Sequence, residues 1–572
     1  MRIQFVFTLF IVFLLAACSD VKQTERVLEH FLDRHVDRIK PINQKYSEVV
    51  WATYTGQASF TSLLERSRMT DSLYRAAGEP VEYYQNLLNN VYDNSSDFDI
   101  LMKIKASGLI QDPLLKRQFM KVFRQYLSIQ NSWDESESKQ AELFEQFFDL
   151  KKSETAFWDS VQQVPGVDAR NEWIEQFSEL TVDFKEMIKA MNRDAQKMGY
   201  ANYFQLVMDF NGVDYQQLDE FTKIIEQETA ADYRQLLEAC NREINRNFNI
   251  PASQITAQHY NYEAKKMMLP EAWDKDYTRE EFVDILNRYF AYGEYNTESI
   301  IQNSDLWFAP EKINQSFFFS VDAEKSDYRI YANIKTNTMG VYTMLHEFGH
   351  AVHYQEVDKK LPYLLCEPHT IATEAVAIYF NDKLYHSNTL RTLMALPDIS
   401  ESAYFSEFVD PSRLVFLRKL LRSIAFQQQI FENPEQDFNE LWWSLNEKYL
   451  YYQTDNDKRL PEWISNQHII YANGVHVYYL FATAVAAQLE AYFPDDVIGP
   501  VKGFMRLGDS MEWSDMLEQV TGESLNLNYL FNSYRRINKE EVPFTFNVVS
   551  GKMLSFYEEN INQTMNPANS VT

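Results

Sequence analysis

The tightest constraint in this chain is a stretch that must hold two histidines and a glutamate at one point in space. Thr343-Met344-Leu345-His346-Glu347-Phe348-Gly349-His350-Ala351-Val352-His353 carries the pattern H-E-x-x-H. On a helix, residues four apart lie one above the other, so His346 and His350 can aim ring nitrogens at a single tetrahedral zinc ion. Glu347 projects beside them, placed to handle a proton of metal-bound water. Val341, Leu345, Phe348 and Val352 recur at spacings of four, three and four, which predicts a separate apolar stripe for the core. Gly349 costs about 1 kcal/mol relative to alanine in a helix interior. Its presence predicts that another element approaches the helix closely there.

The chain has ten histidines in 572 residues. At that composition an accidental match to the motif is expected in roughly one or two chains in a hundred, so a third ligand must be found. His353 shares the face, but seven residues of helix put its backbone roughly 10 Å from that of His346. It reads as a packed or supporting residue. Downstream, Thr370 is placed to cap a second helix whose first turns carry Glu374, twenty-four residues beyond His350. A carboxylate on a neighbouring helix completes a two-histidine, one-glutamate set and leaves the fourth position for water. Glu367 and His369 are rivals for that role; Glu367 precedes a proline and belongs to the connection.

The rest of the chain narrows the setting. Met1-Arg2-Ile3-Gln4 is a short basic start, Phe5 to Leu14 is continuously apolar, and Leu15-Ala16-Ala17-Cys18 resembles a bacterial lipobox. The expectation is a signal peptide over 1–17, a lipid on Cys18, and a membrane-tethered protein of the cell envelope. The remaining residues, 18–572, are expected to form one domain: a helical lid and cleft wall over 19–300, a catalytic half over 301–558 and a frayed tail from 559. Glycine (15) and proline (17) are sparse and helix formers dominate, so the fold class is mostly α. A net charge of −28 argues against nucleic acid as a partner. Cys240 and Cys366 are too few for a disulfide framework.

Residues 21–77 read as two amphipathic helices, the first with a stripe of Val27, Phe31, His35, Ile39 and Ile42. The region 172–221 reads as helical with breaks at Gly199 and Gly212. Ser316 to Val321 and Asp327 to Ile334 are β-rich runs around a charged turn, which predicts a hairpin beside the metal helix. Its edge offers either a site for an extended peptide or a structural brace.

These residues together resemble the angiotensin-converting-enzyme type of zinc peptidyl-dipeptidases, particularly bacterial members. The resemblance rests on His346-Glu347-Phe348-Gly349-His350 with Glu374 in a Thr-Glu-Ala setting, on Asp327-Tyr328-Arg329-Ile330, and on the segment Asn466 to Tyr479. Tyr46 to Tyr54 and Arg193 to Tyr203 extend it more weakly over nearly the whole chain. It implies a helical ellipsoid split by a deep cleft, zinc on the floor, oligopeptide substrates, and transition-state stabilisation by His468 and Tyr478.

The departures matter equally. The family's carboxylate-gripping lysine is matched by Asn466, its second carboxylate-binding tyrosine by Val475, its chloride-binding arginine by Val477, and an upstream substrate-binding histidine by Ser316. Recognition of a substrate's C-terminus is therefore expected to be weak, amidation costing less than about tenfold, unless another cation such as Lys458 or Arg459 reaches in. A general oligopeptidase or carboxypeptidase is the alternative within enzymes, and a peptide-binding protein without catalysis the alternative outside them.

Overall fold

Apolar stripes at helical spacing give this chain a body of helices packed on one hydrophobic cluster that runs from Leu28 to Tyr534. The computed structural model describes residues 2–55, 81–130, 172–257, 259–260, 271–310, 312–397, 411–452, 460–470, 474–494 and 501–534, with scattered positions between 139 and 151. Lys458, Arg459, the tail from 559 and the side chain of Cys18 lie outside the described residues. Among the described residues, no helix is long and apolar enough to cross a membrane.

Helix α1 (Arg2–Thr55) is continuous through Pro41. Its buried face is Leu28, Phe31, Leu32, His35 and Ile39, whereas Val27 is 47% exposed. The predicted stripe therefore starts one residue too early: Leu28, not Val27, is in line with Phe31 and His35. This face packs on α2 (Val81–Tyr92) and α4 (Pro113–Gln130), where the His35 ring lies 5.1 Å from Tyr92 and 5.7 Å from Tyr126. Arg38 pairs with Asp97 of α3 (Ser95–Ser107) at 2.6 Å. Farther along α1, Gln44 donates to Asp322, and Trp51 and Tyr54 stack edge-on against Phe319 and Phe317. One helix thus ties the N-terminal layer to the sheet. The breaks at Gly199 and Gly212 separate the helices Leu180–Lys197, Tyr203–Phe210 and Tyr215–Phe248 as expected.

The hairpin forms as predicted from β2 (Ser316–Asp322) and β3 (Asp327–Ile334), paired antiparallel, and β1 (Asp305–Trp307) adds a parallel strand on the far side of β3. The order β1-β3-β2 leaves β2 at an edge. Asn333 donates its backbone N–H to Gln315 O at 3.1 Å. Antiparallel pairs alternate, so residues 317 and 319 also bond inward while the amides of Ser316, Phe318 and Ser320 turn toward the open edge. The Phe318 ring faces the metal helix, 4.8 Å from Tyr354 and 6.2 Å from His350.

That helix is α5 (Thr338–Glu356), and the next long one, α6 (Thr370–Asn381), is packed between α5 and α7 (Val475–Tyr492). Val341, Leu345, Phe348 and Val352 are all fully buried, as their spacing predicts. Gly349 explains itself here. A Cβ on it would lie 2.7 Å from the Ala377 Cα of α6, so the two metal-bearing helices touch backbone to backbone.

Candidate metal centre and its cleft

Asn337 starts α5 by accepting the Gly340 N–H on its side chain (2.9 Å). Two turns on, His346 and His350 stand with ring centroids 4.9 Å apart and nearly perpendicular. Helix α6 is capped one residue earlier than predicted. His369, not Thr370, caps it, its Nδ1 accepting from Ile371 N at 3.2 Å, and Thr370 is the first helical residue. An imidazole can do the work usually given to a hydroxyl or carboxylate, a substitution the ordinary cap preferences do not anticipate. His369 is not in the group of ligating side chains that converge, and Glu367 is exposed.

Glu374, in the second turn of α6, reaches both histidines: its Oε2 lies 3.5 Å from His346 Nε2 and 3.8 Å from His350 Nε2. Among the described residues, His346, His350 and Glu374 form the one group of ligating side chains that can hold a metal ion. A tetrahedral ion with bonds of about 2.0–2.1 Å keeps its ligand atoms roughly 3.4 Å apart, close to what these atoms show. Glu374 Oε2 is also buried without a hydrogen-bond partner, an orphaned acceptor that a cation satisfies. The residues fit a divalent ion.

Thr373 was not legible from the motif. Its hydroxyl sits 2.9 Å from His350 Nδ1, which fixes the ring and turns Nε2 to the metal position. The clue in the sequence was its place directly before the ligand Glu374. Thr373→Val is expected to weaken metal affinity about 10- to 100-fold with little change in fold, as read by competitive chelator titration.

Burial dominates the electrostatics. It pushes the Glu347 carboxyl up to about 7, with the Glu374 carboxylate acting in the same direction and His346 against it. Burial lowers His350 to about 4 and His468 to about 4, so both rings are neutral near neutral pH and have a free lone pair or a neutral N–H to offer. His346 moves the other way: burial opposes its charge, but the negative charge of Glu374, with Glu347 acting in the same direction, more than offsets that. His353 is fully buried near the Phe504 ring with both nitrogens unpartnered, and it is no part of the ligand group.

The metal position opens on a cavity of about 800 Å³, walled by Glu347, by Ser316 to Phe318 of β2, and by Gln467, His468 and Tyr479 across from them. The structure thus brings His468 to the site with the ligands and Glu347. Tyr478 is not among the residues that line the cavity: it is buried, and its hydroxyl would be 3.2 Å from a Cβ on Gly474, the residue that caps α7. Its neighbour Tyr479 takes the place on the wall, its ring 5.8 Å from that of His468. The departures have structural roles of their own. Asn466 accepts the His468 N–H on its side chain (3.0 Å), Val477 is fully buried and Val475 half-buried, and Ser316 lies on the cavity wall. Cys240 and Cys366 are free thiols.

No protein-family model matches the chain, and no curated protein matches its sequence. Its fold is nevertheless shared with solved structures. A putative oligoendopeptidase F is 14% identical over 93% of this chain and 97% of its own, with a TM-score of 0.60. A Pyrococcus furiosus carboxypeptidase, described as apo-Mg, is 14% identical over 88% of this chain and 97% of its own (TM-score 0.57). The M32 carboxypeptidase from Deinococcus radiodurans R1 is 13% identical over 89% and 97% (TM-score 0.57). The chain has the large helical fold of these metallopeptidases.

Proposed function

We propose that the protein is a zinc peptidase that hydrolyses oligopeptides, tethered in the cell envelope by lipid on Cys18. One observation carries the reading: a buried Glu347, with its pKa near 7, stands beside a two-histidine, one-glutamate set at the floor of a peptide-sized cavity. A zinc ion in that set supplies Lewis-acid polarisation and acidifies the attacking water. Glu347 takes the proton from that water and later hands it to the leaving amine, a double duty suited to a carboxyl whose pKa lies near the working pH. His468, neutral and in the wall, donates an N–H toward the oxygen on which charge develops. The open amides of Ser316 and Phe318 align the substrate as an extra strand.

The motifs point to a peptidyl-dipeptidase-like activity. The use of Asn466 as a helix cap, together with the carboxypeptidase and oligoendopeptidase names of the similar structures, favours a second reading in which single residues or internal fragments are released. Metal analysis and mass spectrometry of products from a short peptide series decide between them. Dipeptides support the first, single residues or internal cuts the second, and no hydrolysis by the zinc-loaded protein rejects both. Tyr479→Phe is expected to lower kcat about 10- to 100-fold and Tyr478→Phe much less; the reverse order would return the role to Tyr478. The tether is tested by fractionation: the mature chain should sediment with membranes, and a soluble chain with another N-terminus would refute it.

A further inference from the structure

His468 reaches the cavity wall from a helix of only four residues, Gln467–Ile470, too short to fix a side chain by its own hydrogen bonds. Side chains hold both of its backbone polar groups instead. The N–H of His468 donates to Asn466 Oδ1 (3.0 Å), and its carbonyl accepts from Gln427 Nε2 (3.2 Å). Gln427 comes from another element, the helix Pro411–Glu432, and is fully buried. The other end of the same amide, Oε1, lies 3.0 Å from Nδ1 of His476, in the first turn of α7. With the amide nitrogen spent on a carbonyl, the oxygen is the atom that faces His476, and an amide oxygen can only accept. The proton of His476 therefore sits on Nδ1. Burial holds this imidazole well below its usual range, with His468 and Arg422 acting in the same direction, so the ring is neutral. It stands edge-on to the His468 ring, the centroids 5.9 Å apart at 82°, and Tyr479 of α7 adds a second tilted ring at 5.8 Å. Neither Gln427 nor His476 lines the cavity.

We propose that Gln427 and His476 are positioning residues: together they hold His468 at the angle from which it donates to the developing oxyanion, a role that rests on the reading of the chain as a peptidase and of His468 as its donor. A donor lowers the barrier only if it is already aimed when charge appears, and hydrogen bonds weaken steeply as they bend. A fully buried amide costs free energy unless both of its ends are bonded. Here one end holds the backbone of His468, and the other holds the ring that packs against it. Gln427 therefore acts through His468, and its effect on the reaction should exist only while His468 is present.

The test is a double-mutant cycle on the zinc-loaded protein with one oligopeptide substrate, reading kcat and KM separately. His468→Ala is expected to lower kcat about 100-fold. Gln427→Met keeps the length of the side chain but makes neither bond; it should lower kcat about tenfold, with KM within about twofold and zinc content unchanged. In the His468→Ala background the same substitution should cost less than about twofold, since the residue it positions is gone. His476→Leu should behave like Gln427→Met, and His476→Asn, whose amide N–H can stand in for the Nδ1–H, should recover most of the loss. If Gln427→Met does not fold, the two substitutions at His476 carry the same cycle. Losses that multiply across the cycle, a loss confined to KM, or asparagine no better than leucine at 476 overturn the proposal, while wild-type hydrolysis keeps the peptidase reading intact. A His468→Ala protein as active as wild type also overturns it, by removing the donor to be positioned. A zinc-loaded wild type that cleaves no peptide removes the peptidase reading itself, and the proposal with it.

Discussion

Glu347→Gln is expected to leave zinc bound and to reduce hydrolysis by about three to four orders of magnitude. Glutamine matches glutamate in shape, and residue 347 is not among the three side chains whose ligating atoms converge. What it removes is proton transfer, usually worth about 10²–10⁴ in rate. On the proposed mechanism the same carboxyl serves the attacking water and then the leaving amine, so the loss should fall toward the upper end of that range. Glu374→Ala should differ in kind. It removes the oxygen that lies 3.5 and 3.8 Å from the two histidines, so metal and activity disappear together. Zinc content by mass spectrometry, measured beside kcat/KM on one peptide, separates the two. A Glu347→Gln protein that loses its metal, or keeps more than about a tenth of wild-type activity, would falsify the assignment of Glu347 as proton carrier.

What the sequence disclosed and what it hid divide along a physical line. The ligands on α5, the buried stripe at Val341, Leu345, Phe348 and Val352, and the close approach at Gly349 all follow from the period of one helix, and so does Glu374 once a second helix is recognised. The β2–β3 hairpin announced itself by composition, but β1 has only three residues and pairs with β3 past β2, the strand between them in the chain, leaving no local pattern to find. Local chemistry misled at two places. Val27 and Leu28 fit nearly the same stripe, and only packing against α2 and α4 decides which is buried; His369 displaced Thr370 as a cap through a ring nitrogen. Thr373 and Tyr479 belong to the cavity because of how separate elements meet. Each is an ordinary residue in its own segment, and its role exists only in the assembled cleft.

Gly349 gives the prediction that ties fold to chemistry. Alanine there would gain about 1 kcal/mol in helix propensity, so on local grounds the substitution should stabilise the protein. Its Cβ would also sit 2.7 Å from Ala377 Cα, 3.3 Å from Ala377 N and 3.2 Å from Phe380 Cδ2. The nearest of these is the backbone of fully buried Ala377, which cannot swing aside as a side-chain tip can. Overpacking of this kind costs about 1–3 kcal/mol, so the clash outweighs the propensity and Gly349→Ala is expected to be destabilised by about 1–2 kcal/mol net. The consequence for the metal should be larger. Separating α5 from α6 draws Glu374 and Thr373 away from His346 and His350 together, disturbing a ligand and a supporting hydrogen bond at once, and zinc affinity should fall by roughly a hundredfold. Thermal unfolding of the apo and zinc-loaded variant reads both effects. The apo midpoint should drop modestly, and the added stability conferred by zinc should shrink much more. If the two midpoints fall in parallel, the contact at Gly349 sets only stability, and the alignment of the ligands does not depend on it.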